Sequence, residues 1–366
     1  KADGFYLNGK KVKLRGLNRH QSYPYVGYAM PESMQRMDAD ILKYELGVNA
    51  VRTSHYPQSH YFIDQCDRIG LLVFMEIPGW QHIGDEVWQA QALQNCREMV
   101  CQYRNHPSIF LWGARICGSP DNEAFYKRTN EAIHRLDPTR PTAGTRSTRK
   151  SQLLEDVYAY NDYSYAGRGT GCENRAAVTP DTRKGYLISE FGGQNFPAKP
   201  FDDEPHRLVQ ALHHAAVLND SIAQPGVAGS FGWCMADYNT HREFGSGDRI
   251  CYHGVMDMFR NPKLAAAVYS SQQEDTPVLE LSSSMDIGEH PGGNRSGNWM
   301  ITNADAVRMF KNGKLIKEYH REDSPYRALA HGPIPVNDFI GNAIVENEPM
   351  KPKQARLMGQ LLNMTA

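Results

Sequence analysis

The residues best suited to chemistry sit at the ends of short apolar runs. The sharpest case is Tyr186-Leu187-Ile188-Ser189-Glu190-Phe191-Gly192-Gly193. Apolar and β-prone residues lead into one acid, and a Gly pair follows. A buried parallel strand reads this way when it ends by presenting a carboxylate at the C-terminal rim of its sheet. Read alone, Glu190 also fits an ordinary ion pair. Its company argues for an active-site mouth, where an acid serves as base or nucleophile. The run 13–20 ends in Asn18-Arg19-His20, 49–55 in His55 and 71–76 in Glu76 before Pro78. Val157-Tyr158-Ala159-Tyr160 leads to Asn161-Asp162-Tyr163, and 227–233 ends in Trp233.

The elements behind these strand ends alternate regularly. Asn8-Gly9 marks a hairpin between short runs at 5–12. Helical periodicity covers 30–46, stopped by Gly47, and 61–69, closed by Gly70. Further helices are predicted over 87–103, 122–136 and 206–218. The runs 108–113 and 140–144 complete the strand set. Eight strands, most followed by helix, make a (β/α)8 barrel, whose chemistry lies at the C-terminal strand ends. The alternative is a doubly wound sheet, but no glycine-rich phosphate loop follows the first strand. The barrel is assigned to 1–275. Beyond it, short runs separated by Gly, Asn and Pro, with Asn312-Gly313 as a hairpin turn, predict a small β-sandwich over 276–366.

Composition removes several function classes. Forty basic against 41 acidic residues give a net charge of −1, so no strong field draws nucleic acid or an anionic membrane. No apolar run approaches membrane-spanning length. The seven cysteines are odd in number and scattered, and the Cys96–Cys101 spacing suits neither a zinc pair nor a redox motif. They read as reduced thiols of a cytoplasmic protein. Lys1-Ala2-Asp3 is no signal peptide, and the missing initiator Met reads as a fragment.

The strand ends also carry a resemblance. Asn18-Arg19-His20, Arg52-Thr53-Ser54-His55-Tyr56-Pro57, Cys66-Asp67-Arg68-Ile69-Gly70-Leu71, His106-Pro107-Ser108-Ile109 and Ser189-Glu190-Phe191-Gly192 occur in that order. Together they closely resemble the catalytic barrel of glycoside hydrolase family 2, the β-galactosidase and β-glucuronidase group. The likeness covers 5–270, and the remainder resembles the immunoglobulin-like domain that often follows. The family's preceding sugar-binding and immunoglobulin-like domains are not matched. The resemblance implies a retaining exo-β-glycosidase, in which one carboxylate attacks the anomeric carbon. A second, roughly 5–5.5 Å away, protonates the leaving oxygen and then activates water. Glu190 matches the nucleophile and Tyr163 the tyrosine that donates to it. His20 and His55 match histidines of the sugar pocket, and Trp233 its aromatic floor. Asn161 and Glu76 complete the substrate-contacting candidates, Glu76 with a structural role as its alternative.

One part of the pattern breaks. The family's acid/base follows Trp-Gly as Asn-Glu, but here the stretch reads Trp112-Gly113-Ala114-Arg115-Ile116-Cys117-Gly118-Ser119. Cys117 and Gly118 occupy those two positions. Asn122-Glu123 lies nearby but reads as a helix start, where an acid suits the dipole. Natural hydrolysis is therefore expected to be severely impaired. The alternatives are a non-catalytic sugar-binding barrel, or a remodelled one that uses Glu190, Glu76 or Cys117 for other chemistry. Trp80 stands where the family's Mg²⁺ site needs an acid, and His82 alone would not hold the ion. No metal and no cofactor are expected. The expected partner is a small carbohydrate, galactose by preference, or another pocket ligand, and oligomeric state is left open.

Overall fold

The computed structural model describes residues 1–240, 248–284 and 297–364. Parts of the expected barrel (241–247) and of the expected β-sandwich (285–296 and 365–366) lie outside the described residues. Eight parallel strands close into a barrel: Leu14–Arg19, Ala50–Thr53, Leu72–Glu76, Ile109–Gly113, Thr142–Arg146, Val157–Asn161, Gly185–Glu190 and Gly229–Gly232. The eighth pairs with the first and the seventh, which completes the circle.

Helices occupy most of the crossovers, including His60–Ile69, Glu86–Tyr103, Glu123–Leu136 and Glu204–Ala223. Their starts carry side-chain caps: Ser59, Asp85, Asn122 and Asp203 each accept from a backbone N–H in the first turn. The fifth strand lies two residues further along than the sequence predicts, and residues 147–156 after it form no helix.

Alternation along each strand divides two cores. Leu17, Val51, Val73, Trp112, Tyr186 and Ile188 face outward and pack with helix residues such as Ala39, Phe62 and Ala215. Leu14, Ala50, Phe74, Leu111, Ala143, Ala159, Leu187 and Phe231 form a separate apolar layer inside the barrel. Gly113 is required by this packing, since a Cβ there would lie 2.2 Å from the Cβ of Glu76. At the N-terminal end the hairpin of Phe5–Leu7 and Lys10–Val12 turns at Asn8 and Gly9, both with positive φ. Its Phe5 ring meets Phe110 edge-on at 5.0 Å beneath the inner layer.

After the barrel, Leu279–Leu281, Asn298–Thr302 and Ile334–Val336 form an antiparallel sheet. Ala306–Lys311 and Lys314–His320 make a hairpin that turns at Asn312-Gly313 as expected. Met300, Ile334 and Val336 of the sheet and Tyr319 of the hairpin form one small core. Two helices, Ala343–Asn347 and Pro352–Met364, then close the described chain, a feature absent from a strand-only reading of this segment. Among the described residues no helix is long and apolar enough to cross a membrane.

Candidate active site

Two residues beyond the apolar inner layer, the same inward alternation brings up a polar layer. Asn18 follows Gly16, Arg52 follows Ala50, Glu76 follows Phe74, Asn161 follows Ala159 and Ser189 follows Leu187. A buried polar group costs free energy unless it is paired, so these five must satisfy one another. They do. Asn18 donates through Nδ2 to the carbonyls of Ser189, Phe231 and Gly232, at 2.9, 3.2 and 3.1 Å, which ties the first strand to the seventh and eighth. Its Oδ1 accepts from Arg52 Nη1 at 2.7 Å. Ser189 Oγ donates to Asn161 Oδ1 at 2.9 Å.

Arg52 is the hub. Its guanidinium grips Glu76 with two nitrogens, at 3.0 and 2.7 Å, and donates to Glu190 Oε1 at 2.7 Å. Burial works against its charge, but the carboxylates of Glu76 and Glu190 override that and raise its proton affinity above the ordinary range. Burial likewise opposes ionisation of Glu76, and Arg52 outweighs it, holding the carboxyl below its usual value. Both oxygens of Glu190 are engaged: Oε1 with Arg52, and Oε2 accepting from Tyr163 O–H at 2.9 Å. Cys117 Sγ donates to the same Oε1 at 3.4 Å, and Asn161 Nδ2 reaches that sulfur at 3.7 Å. Burial, then the Glu190 charge, pushes the Cys117 thiol well up, so it stays protonated. Tyr163 is held as the neutral phenol for the same two reasons.

Above this floor lies a cavity of about 550 Å³, lined by rings and amides: His20, Tyr56, Trp80, Gln194, Trp233 and Tyr238 among others. His55 stacks on Trp233 with centroids 5.2 Å apart, and His20 meets Trp233 edge-on at 5.2 Å and Tyr238 at 4.3 Å. His55 Nδ1 lies 3.0 Å from Glu76 Oε1, which fixes the ring. Burial, reinforced by His55 and Arg52, holds His20 neutral. Among the described residues that line the cavity, Glu190 is the only carboxylate, and none is Lys or Arg. A larger cavity, about 1090 Å³, lies between the helix Leu264–Ser270 and the strands after the barrel, and holds none of these residues.

The structure thus gathers Glu190, Tyr163, Cys117, His20, His55, Asn161, Trp233 and Glu76 around one mouth, at different depths. Glu190, His20, His55 and Trp233 reach the cavity wall. Glu76 and Asn161 stand beneath it, Glu76 only 1% exposed and consumed by Arg52 and His55, so the structural alternative for Glu76 describes its contacts. Cys117 follows the fourth strand, its carbonyl accepting from Gln81 N at 2.8 Å. Gly118 has φ +66°, and a Cβ there would meet only Gln81 Cγ and Ser147 Oγ, each at 3.5 Å. Glu123 sits exposed in the first turn of its helix, away from the cavity wall. Sequence reading gave no role to Arg52. The available signal was a charge inside an apolar strand, Ala50-Val51-Arg52-Thr53, which demands buried counter-charges. Tyr238, in the short antiparallel pair of Tyr238–Asn239 with Ile250–Cys251 after the eighth strand, and His253 just beyond it were also missed.

Comparison with known proteins places this arrangement. Residues 1–277 match the family described as Glycosyl hydrolases family 2, TIM barrel domain. The chain is 46% identical over 365 residues to a β-galactosidase of Thermoanaerobacterium thermosulfurigenes, covering 99% of this chain and 50% of that protein. A β-galactosidase of Rhizobium meliloti is 36% identical over 353 residues, covering 92% and 46%. Among solved structures, a β-glucuronidase of Parabacteroides merdae aligns with a TM-score of 0.73 at 26% identity, over 92% of this chain and 46% of that one. The chain spans about half the length of the curated relatives it matches.

Proposed function

The chain belongs to glycosyl hydrolase family 2, and from that premise we propose a β-galactosidase-like retaining barrel that keeps its nucleophile and lacks its acid/base. The observation that carries this reading is the single carboxylate on the described cavity wall, Glu190, together with a Gly at position 118, where the family pattern has its acid/base. Retention needs two carboxyls that approach one anomeric centre from the nucleophile and leaving-group sides. Glu190 fits the first task. Arg52 donates to one of its oxygens, and Tyr163 fixes the rotation of the other. For the second task the wall offers imidazoles and phenols only. His20 is kept neutral by burial, and Glu76 is spent on Arg52.

The consequence follows from leaving-group chemistry. A sugar hydroxyl leaves poorly without protonation, and general acid catalysis typically contributes about 10²–10⁴-fold. An acidic phenol needs no such help, so Glu190 can displace it and become glycosylated. Water then attacks slowly for want of a base. A neutral hexose is favoured over a uronic acid because the described lining presents no Lys or Arg to a sugar carboxylate. The β-galactosidase relatives point the same way. A thiol nucleophile at Cys117 is disfavoured, because burial beside Glu190 keeps it protonated.

The test is hydrolysis of dinitrophenyl β-galactoside with and without azide. Slow turnover that azide accelerates, yielding β-galactosyl azide, supports the reading. No dinitrophenol release in either condition sinks it and leaves a sugar-binding barrel.

A further inference from the structure

The floor of the cavity holds a combination that the glycosidase reading uses only in part. One nitrogen of His55, the sulfur of Cys117 and one oxygen of Glu190 all lie within 4.8 Å of one another. We propose that His55, Cys117 and Glu190 form a binding site for a thiophilic divalent cation, Zn²⁺ by their chemistry. None of the three is the Trp80 or His82 of the Mg²⁺ site that the family resemblance implies, and the proposal stands whether or not Glu190 attacks a sugar.

Four observations carry the inference. First, thiolate, imidazole and carboxylate are the three ligand types that zinc takes in proteins. Second, the spacing suits it. Zinc bonds of 2.3 Å to sulfur and about 2.1 Å to oxygen at the tetrahedral angle put S and O about 3.6 Å apart. Cys117 Sγ and Glu190 Oε1 are 3.4 Å apart, with the thiol proton between them where the ion would sit. Third, His55 is already oriented as metal-bound histidines are. Nδ1 lies 3.0 Å from Glu76 Oε1, a pure acceptor when ionised, and 3.3 Å from Arg52 Nη2; the tautomer that donates Nδ1–H to Glu76 leaves the lone pair on Nε2. Fourth, charge favours exchange. Arg52 faces both Glu76 and Glu190, so the ionised cluster carries an excess negative charge. Replacing the Cys117 proton with a divalent cation brings it to neutrality.

Arg52 is the natural objection, since Nη1 donates to the same oxygen and Nη2 lies 3.3 Å from His55 Nδ1, the nitrogen turned to Glu76. A carboxylate oxygen has two lone-pair directions, and Oε1 already serves two partners in Arg52 and Cys117. The ion takes the place of the second and leaves the first intact. Tyr163 keeps Oε2, and His20, neutral beside His55, adds no opposing charge. The fourth coordination position opens to the cavity, as in zinc sites that keep a water.

The experiment is equilibrium dialysis of the whole chain with Zn²⁺, repeated with Co²⁺ to record the sulfur-to-cobalt charge-transfer band. The account predicts one bound ion that survives Cys101→Ser, the exposed thiol, and a loss of affinity above about 100-fold in Cys117→Ser, with about 10–100-fold for Glu76→Gln through the ring it orients. Should Cys117→Ser fail to fold, His55→Asn reads the same site. Absence of binding by the parent chain, or equal binding by folded Cys117→Ser, overturns the proposal. Neither outcome bears on whether dinitrophenyl galactoside labels Glu190, because dialysis contains no sugar.

Discussion

Replacing Gly118 by Glu returns an acid to the position where the proposed site lacks one, and the geometry sets what this should do. A Cβ at 118 meets Gln81 and Ser147 at ordinary contact distance, so the space exists. The backbone is less accommodating: at φ +66° an L residue costs roughly 1–2 kcal/mol. Against that stands general acid catalysis of about 10²–10⁴-fold, equivalent to about 2.7–5.4 kcal/mol of barrier. The strain is also well below a typical folding stability of about 5–15 kcal/mol, so the variant stays folded. The assay is kcat/KM on two galactosides that differ in leaving group. Lactose, whose leaving hydroxyl needs a proton, should gain about 10²–10⁴-fold over the parent. The glycosylation step with dinitrophenyl β-galactoside should change by less than about tenfold, because that phenolate leaves unaided. Gly118→Gln, equally strained but without a proton to give, should help neither. A folded Gly118→Glu protein that cleaves lactose no faster than the parent refutes the reasoning, as does an equal gain on both substrates.

Other consequences follow from the same contacts. Tyr163→Phe removes one hydrogen bond to a charged oxygen, worth about 1.5–3 kcal/mol, so the dinitrophenol burst should slow by about 10–10²-fold with the adduct still forming; an unchanged burst rate removes Tyr163 from the site. Arg52→Met leaves Glu76 and Glu190 buried without counter-charge and should cost about 3–5 kcal/mol in urea unfolding, whereas a parental midpoint would show that Arg52 is not the hub. Stability should also depend on pH. Burial lowers His213 and His253 to about 4 and His214 to about 3, so the unfolded chain binds more protons than the folded one below about 6.5. Their contribution is present above that pH and lost as it falls toward 4, at up to about 1.4 kcal/mol per histidine per pH unit. Asp237, pushed up to about 7 by burial, opposes part of this, and Glu76 and Asp38, held low by their arginines, extend the loss below the carboxyl range. Thermal melts that are flat from pH 7 to 4 would contradict the burial of these rings as neutral groups.

The sequence carried most of this site because its residues obey strand periodicity. Glu190, Asn161 and Glu76 end strands whose apolar lead-in is plain, and a closed parallel barrel turns every strand end toward one mouth. Arg52 escaped a role because a charge inside a strand gives no hint of which distant acids will meet it. Glu76 is 24 residues away and Glu190 is 138, and only closure of the barrel joins them. The depth of each side chain was also illegible: Glu76 ends its strand like Glu190, yet Arg52 and His55 consume it beneath the wall. Tyr238 and His253 come from backbone without a periodic pattern, whose path is set by contacts such as Gly254 N to Asp237. The closing helix Pro352–Met364 did carry a signal, since Leu357, Met358, Leu361 and Leu362 recur at helical spacing. The turn residues scattered through the preceding segment outweighed it.

The most direct measurement is mass spectrometry of the protein after brief mixing with dinitrophenyl β-galactoside, followed by peptide mapping. If the nucleophile is intact and the base is missing, glycosylation outruns hydrolysis. A galactosyl adduct should then accumulate on the peptide containing Glu190, matched by a stoichiometric burst of dinitrophenol. Glu190→Gln should abolish both. An unlabelled protein that nonetheless turns over the substrate, or an adduct on any other residue, would contradict the account.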